Sequence, residues 1–411
     1  MTSEPHSTAI AVEPPTSWTG VALGLGLGAL AAYHLFKLPP VLPILLRQYD
    51  YGLFAAGGFM SIYAAIGLVT SALLGSRLQR HGMSPFLLAA ALFFIVGSVL
   101  TLAAPAAVPL MFLARGLEGL GFAILAVVAP VLATASANNR HKTLAIALFA
   151  AWIPLGQLIA MAIAHPFVGN AEWRPIWWIG IGLTVIVVAW GWRVAIRNMP
   201  GRAAANSGGP VPLRNFSRRQ QLALVLVAAT FTLWSTEMFA MLTWLPQYLV
   251  EARDLGAEST ILAYAIPSIL ILIFSIASGF LLRAGAPLAP VLALSLAFQA
   301  AVWFLLPYLN SSTLGFAGLV VFGVAAGISA AFLFAAPALI LGAENAGGSA
   351  FGVVMTGRNL GVLLGPILLP PVLLSMGSWQ AVSQVFGGVS LAGALTAGAL
   401  GAMLARRDCA R

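Results

Sequence analysis

Twelve long stretches of this 411-residue chain are apolar and nearly free of charge, and the second six repeat the first six about 205 residues later. The segment 34–43 (HLFKLPPVLP) lines up without a gap on 237–246 (EMFAMLTWLP), an offset of 203. Gly75 answers Gly279, Pro130 answers Pro337, Pro166 answers Pro371 and Trp173 answers Trp379, at offsets of 204, 207, 205 and 206. An ordered series at nearly constant spacing marks a duplication. A duplicated bundle of membrane helices places its binding site where the halves meet.

Composition names the solvent. Hydrophobic residues make up 60% of the chain and charged residues 8%, against about 25% charged in a soluble domain. No water-facing surface can be built from that. Each stretch reaches the roughly 20 residues that cross a hydrocarbon core, whereas barrel strands are about 10 residues long and alternate polar with apolar. The expected fold is an all-α membrane protein, with twelve transmembrane helices in two pseudo-symmetric six-helix halves.

The spans are read as 18–38, 53–76, 85–104, 110–136, 143–168 and 175–194, then 222–250, 259–282, 288–309, 314–341, 348–374 and 380–404. This gives an N-terminal tail (1–17), an N-terminal bundle (18–194), a basic linker (195–221), a C-terminal bundle (222–404) and a C-terminal tail (405–411). The linker holds Gly201, Gly208, Gly209, Pro210 and Pro212 among five arginines, the composition of a flexible connector. The stretch before Trp18 has Glu4 and Glu13 but no Lys or Arg. It lacks the positive start of a secretory signal, so the first span reads as retained.

An even number of spans puts both termini on one side. That side carries Arg77, Arg80, Arg140, Lys142, Arg193, Arg197, Arg202, Arg214, Arg218, Arg219, Arg283, Arg406, Arg407 and Arg411, which is 14 basic residues. The other carries Lys37, Arg47, Arg174 and Arg253, which is 4. The asymmetry places the termini in the cytoplasm of a plasma membrane, the inner membrane of a bacterium. It also accounts for the net charge of +9 without a nucleic-acid partner. The single cysteine, Cys409, builds neither a disulfide framework nor a thiolate metal site. No metal and no cofactor is expected, and the chain reads as a monomer in the lipid bilayer.

A charge buried in hydrocarbon costs at least about 2.5–3.5 kcal/mol on insertion scales, so each one needs a reason. Within or at the ends of spans lie His34, Lys37, Arg115, Glu118, His165, Glu237 and Arg358. His34 and Lys37 share a face of span one, and Glu237 is the repeat equivalent of His34. A two-fold relation would set these positions facing each other. One reading makes Glu237 a proton carrier while Lys37 and Arg358 hold a small anion; the other makes Glu237 a permanent neutralising partner of one of those cations. Arg115 and Glu118, three apart, read as an intrahelical pair, with a coupling role as the alternative. The repeat equivalent of Arg358 is Ile153, so the fold does not demand an arginine there. Its planar fork of donors suits a carboxylate, and snorkelling to water is the structural alternative. Tyr33, Trp152, Gln157, Trp234 and Asn359 complete the expected solute site. Gly24, Gly26 and Gly28 lie inside a membrane helix and read as packing, not a nucleotide loop.

Four local patterns converge: 75–82 (GSRLQRHG) after span two, 115–121 (RGLEGLG) in span four, 357–366 (GRNLGVLLGP) in span eleven, and Trp173 with Arg174 before span six. Over essentially the whole chain this set resembles the major facilitator superfamily. The resemblance implies that spans one, four, seven and ten line a cavity and that spans three, nine and twelve face lipid. It implies conformational roles for Gly75, Gln79, Arg80 and Gly82, and for Gly357, Gly361, Gly365 and Pro366. Gln79 departs from the family's usual Asp, which weakens or rebuilds an electrostatic latch. The glycine–proline pattern stands in span eleven, and its span-five counterpart is eroded to Trp152–Gln157 (WIPLGQ); proton-driven exporters carry it in span five. The stretch 243–248 (TWLPQY) is loosely similar to the cyanate-permease branch. Gly357, Gly361 and Gly365 fall four apart on one face, which admits close helix packing or a sliding contact.

The expected function is secondary active transport, as a proton-coupled symport or permease activity, of a small polar or anionic solute by alternating access. No enzyme is expected: all three aspartates lie outside the spans, and no HExxH or nucleophile-elbow pattern occurs. The alternatives are an exporter of lipophilic compounds and a transporter-like receptor without flux.

Overall fold

The computed structural model describes residues 15–81, 83–138, 140–141, 144–145, 148–149, 151–198, 215–309, 312–342 and 349–405; for 71–81, 194–198 and 312 it describes backbone alone. Among these residues the chain is helical throughout, with no strand. The first span is α1 (Trp18–Phe36), a 3-10 turn (Pro39–Val41) and α2 (Leu42–Tyr49). Then come α3 (Leu53–His81), α4 (Ser84–Ala103), α5 (Val108–Ala135), α6 (Trp152–Val168) and α7 (Arg174–Asn198). The second set is α8 (Arg218–Glu251), α9 (Ala257–Arg283), α10 (Leu288–Leu305), α11 (Ser312–Leu341), α12 (Ser349–Met376) and α13 (Trp379–Ala405). Eleven of the spans are long and apolar enough to cross a membrane, and α6 is a shorter apolar helix. The expected all-α membrane fold is what forms.

The linker is shorter than the expected 195–221, because helix extends into it from both sides. A capping box closes the start of α8, with Ser217 and Gln220 each satisfying the other's backbone N–H. Arg219, in the first turn, donates to the carbonyls of Met403 and Leu404 at the end of α13. Those carbonyls have no partner within their own helix, so the arginine ties the entry of the second half to its last helix. Arg202 and Arg214 of the linker lie outside the described residues, as do Cys409 and Gly82. Gly75, Gln79 and Arg80 lie in the last turns of α3, where only backbone is described.

The duplication is visible as packing. A Cβ on Gly156 of α6 would sit 2.3 Å from the Ala29 carbonyl oxygen of α1. One on Gly361 of α12 would sit 2.3 Å from the Thr232 carbonyl oxygen of α8. Gly156 and Gly361 are repeat equivalents, and so are Ala29 and Thr232. Gly357 and Gly365 meet the Ala228 and Thr236 carbonyls at the same 2.3 Å. The span-eleven motif is therefore a backbone-to-backbone seam against span seven, where no side chain fits.

The first span differs from its repeat. Pro39 and Pro40 lack N–H groups, so the Leu35 and Phe36 carbonyls lose their helical partners and the helix breaks. Leu242 and Thr243 stand at the equivalent positions, and α8 runs unbroken past them. On the three spans expected to face lipid, Leu92 of α4, Leu294 of α10 and Leu395 of α13 are each at least 60% exposed. Their other faces reach the interior.

Between the two sets of helices the packing is uneven. Ser61 Oγ on α3 donates to the Leu363 carbonyl on α12 at 2.6 Å, and Gln157 Nε2 on α6 donates to the Tyr264 hydroxyl on α9 at 3.0 Å. Both bridges lie in the half of the bundle away from the termini. Following the Leu363 face of α12 toward the termini, Thr356 and Gly352 become exposed. The two bridges join the halves toward the end away from the termini, while Gly357 keeps α12 on α8 at the other end.

Candidate functional site

The broken end of α1 organises the charges of the first half. Arg115 on α5 donates to the His34 carbonyl at 3.0 Å and the Leu35 carbonyl at 3.1 Å, and Tyr63 donates to His34 O at 3.0 Å. Arg115 thus caps a carbonyl that Pro39 has freed. It also pairs with Glu118 at 2.7 Å, the intrahelical contact the spacing suggests. The other Glu118 oxygen takes Lys37 Nζ at 2.6 Å and Ser98 Oγ at 2.8 Å. Lys37 further donates to Ser98 at 3.0 Å and lies 3.1 Å from His34 Nδ1. His34 Nε2 is 2.8 Å from Thr184 Oγ1, and its ring stacks on Phe94 at 4.1 Å. His34, Lys37, Arg115 and Glu118 are all fully buried.

This cluster corrects two expectations. Lys37 belongs to the interior and not to the far-side connections, which leaves three basic residues there against 14. The positions His34 and Glu237 do not face each other either. Residues two apart on a helix point about 200° apart, and the pair that meets across the halves is Phe36 and Phe239, with ring centroids at 6.0 Å. His34 and Glu237 therefore point back into their own bundles. Tyr33 does likewise, donating to the Ile176 carbonyl at 2.5 Å.

Among the described residues of the second half, one acid, Glu237, is fully buried, and no fully buried cation matches it. One Glu237 oxygen accepts the Trp303 indole N–H at 2.6 Å. Its other oxygen has no partner among the described residues. At the repeat offset of 203, Lys37 becomes Ala240; at 207, Arg115 and Glu118 become Phe322 and Ala325. All three replacements are buried and apolar. Glu237 is thus partner to neither Lys37 nor Arg358.

Arg358 is different again. It is half-buried on α12, it donates to Asn359 Oδ1 at 3.0 Å, and its guanidinium lies 6.0 Å from the Phe239 ring centre. None of the ion pairs among the described residues includes it. Phe239 is one of the two rings that meet between the halves, so Arg358 and Asn359 border that meeting point. Trp152 packs on Phe122 and Phe149 in the first half. Trp234 is buried on α8, and its indole N–H has no partner among the described residues.

The structure brings Arg358, Asn359 and Phe239 together, and it puts Gln157 at a bridge between halves. It does not bring His34, Tyr33 or Lys37 to that meeting point. Sequence reasoning missed Ser98, Thr184, Trp303 and Tyr264. All are uncharged residues in apolar spans, and their one local signal is a polar atom in a membrane helix, which needs a partner somewhere.

Comparison with known proteins agrees with this architecture. In a solved structure of the nucleoside transporter NupG the same fold recurs, with a TM-score of 0.72 at 17% identity, over 92% of this chain and 99% of that one. A probable 4-methylmuconolactone transporter of Cupriavidus pinatubonensis is 26% identical over 211 residues, 49% of each chain. The myo-inositol transporter 3C of Cryptococcus neoformans is 39% identical over 93 residues, 23% of this chain and 16% of its own length. The matched region thus spans half or less of these two relatives. The family model described as Major Facilitator Superfamily matches residues 21–366, and the chain belongs to that superfamily of membrane transporters.

Proposed function

We propose that the protein is a secondary active transporter for a small organic anion, coupled to protons, in which the two six-helix halves alternate access to a site between them. The observation that carries this reading is Arg358. It is a membrane-embedded arginine at the junction of the halves, with an amide beside it, an aromatic ring beneath it and no acid paired to it among the described residues, at a position where the repeat carries Ile153. A guanidinium in that setting is stabilised by an incoming carboxylate. Lys37 is not available for that task in this conformer, because Glu118 neutralises it.

Glu237 is the group assigned to the proton. A carboxylate buried without a cation costs several kcal/mol, so the arrangement at Trp303 suits the neutral acid. Arg115 and Glu118 are assigned a structural task, holding the broken first span. The relatives are named for solutes as unlike as a lactone, an inositol and nucleosides, so the solute is set by the residues at the junction. The basic residues near the termini favour a cytoplasmic placement of both ends in a plasma membrane.

Uptake of small carboxylates into proteoliposomes tests the reading. Arg358→Ala abolishes uptake and Arg358→Lys retains part of it. Uptake unchanged in both variants would falsify the anion site. Glu237→Gln removes the dependence on an imposed pH gradient while leaving solute exchange intact. A Glu237→Gln protein that still concentrates solute on a pH gradient ends the proton assignment.

A further inference from the structure

The Gln157–Tyr264 bridge and the contact of Gly57 with α12 both rest on backbone carbonyls that prolines have stripped of their helical partners. Pro246 has no N–H, so the Leu242 carbonyl four residues earlier on α8 is free. The Tyr264 hydroxyl donates to it at 2.6 Å, and the same hydroxyl accepts from Gln157 Nε2 of the other half at 3.0 Å. Pro370 in the same way frees the Pro366 carbonyl on α12. Trp244 Nε1 donates to that oxygen at 2.9 Å, and the bare Gly57 of α3 lies against it, where a Cβ would come within 2.2 Å. Five residues of α8, 242–246, therefore anchor both closures at the end of the bundle away from the termini.

We propose that Tyr264 is the gating residue of this closure, and that Gln157 serves as its partner across the halves and not as a solute ligand. Tyr264 is fully buried, so its hydroxyl needs both a proton acceptor and a proton donor to be satisfied. Leu242 O takes its proton in every conformer, because both groups belong to the second half. Gln157 supplies the donor only while the far end is shut. Opening separates α6 from α9 and exchanges the Gln157 contact for water, which sets the cost of opening. An outgoing Tyr264 proton fixed on Leu242 also points the oxygen's lone pairs at Gln157, so the proline in α8 orients the bridge. This assignment depends on the transporter family alone, not on the solute or the coupling ion.

The test uses the single cysteine to advantage. In a Cys409→Ser background, Met161→Cys places a thiol one turn beyond Gln157 on the same face of α6, at a position that is buried while the far end is closed. A membrane-impermeant maleimide is added from the side opposite the termini. Gln157→Leu, which leaves the Tyr264–Leu242 bond in place and so preserves the fold of each half, raises the labelling rate on the order of tenfold, and Tyr264→Phe raises it at least as much. A second reporter, Val227→Cys, buried inside the second half, keeps its low rate in both variants. Labelling at position 161 that is unchanged in both variants overturns the gate. So does a parallel rise at 161 and 227, which marks a general loosening of the bundle.

Discussion

The two halves are built on the same helix seams yet solve the problem of buried charge in opposite ways. In the first half four ionisable side chains close on one another, with Lys37 and Arg115 sharing Glu118 and His34 at the edge. In the second half the equivalent positions are Ala240, Phe322, Ala325 and Glu237, and among the described residues the acid's hydrogen-bond partner is an indole N–H. The apolar version folds, so the fold itself does not require the ions. What the first half needs them for is the break at Pro39 and Pro40, where Arg115 covers the Leu35 carbonyl that Pro39 frees. The second half has an unbroken α8 at that level and can hold one uncompensated acid, which suits a group that gains and loses a proton.

The largest effect that would break this comparison is at the two acids. Glu118→Gln leaves two buried cations without an anion and costs about 3–5 kcal/mol of stability. Glu237→Gln leaves no charge unpaired, since its amide oxygen still accepts from Trp303, and changes stability by less than about 1 kcal/mol. Thermal unfolding of the detergent-purified variants measures both. Equal losses would show that Glu237 has a cationic partner after all, and the contrast between the halves would disappear.

A smaller effect sharpens the part the halves share. Gly156→Ala and Gly361→Ala each push a methyl group to 2.3 Å from a carbonyl oxygen of the facing helix. Backbone cannot rotate aside as a side chain can, so each costs about 1–3 kcal/mol. The two melting-temperature losses should match, because the same contact has been kept twice. A tolerated Gly156→Ala beside a damaging Gly361→Ala would mean that the seam survives in one half alone.

These seams were legible in the sequence. Glycines four apart on one helix face point to close backbone approach or a sliding contact, and apolar length gave most spans to within a few residues, though the first runs on to Tyr49 and the helix of the fifth begins at Trp152. The rotation of each helix was not legible. The alignment of His34 with Glu237 states that they are equivalent, but not whether they face the partner half, and a 200° difference gave that place to Phe36 and Phe239. Lys37 is written like a helix-end residue, and only the arrival of Glu118 from 81 residues away makes it interior. Prolines announce which carbonyls are freed, at Leu35, Leu242 and Pro366. The donors that answer them come from other helices, and no local pattern points to Arg115, Tyr264 or Trp244.

The smallest effect concerns the indole at Glu237 and decides which form of the acid the closed second half holds. Trp303→Phe removes the N–H but keeps a ring to stack on Phe386, whose centroid lies 5.4 Å away. A hydrogen bond to a neutral group contributes about 0.5–1.5 kcal/mol and one to an ionised group about 1.5–3 kcal/mol. A double-mutant cycle of Trp303→Phe with Glu237→Gln isolates the pair from the loss of packing. With no cation near Glu237 among the described residues, the expected coupling is in the lower range. A coupling in the upper range would mean an ionised carboxylate held by an indole alone. The second half would then tolerate a bare buried charge, and the absence of cations beside Glu237 could no longer be read as provision for a proton.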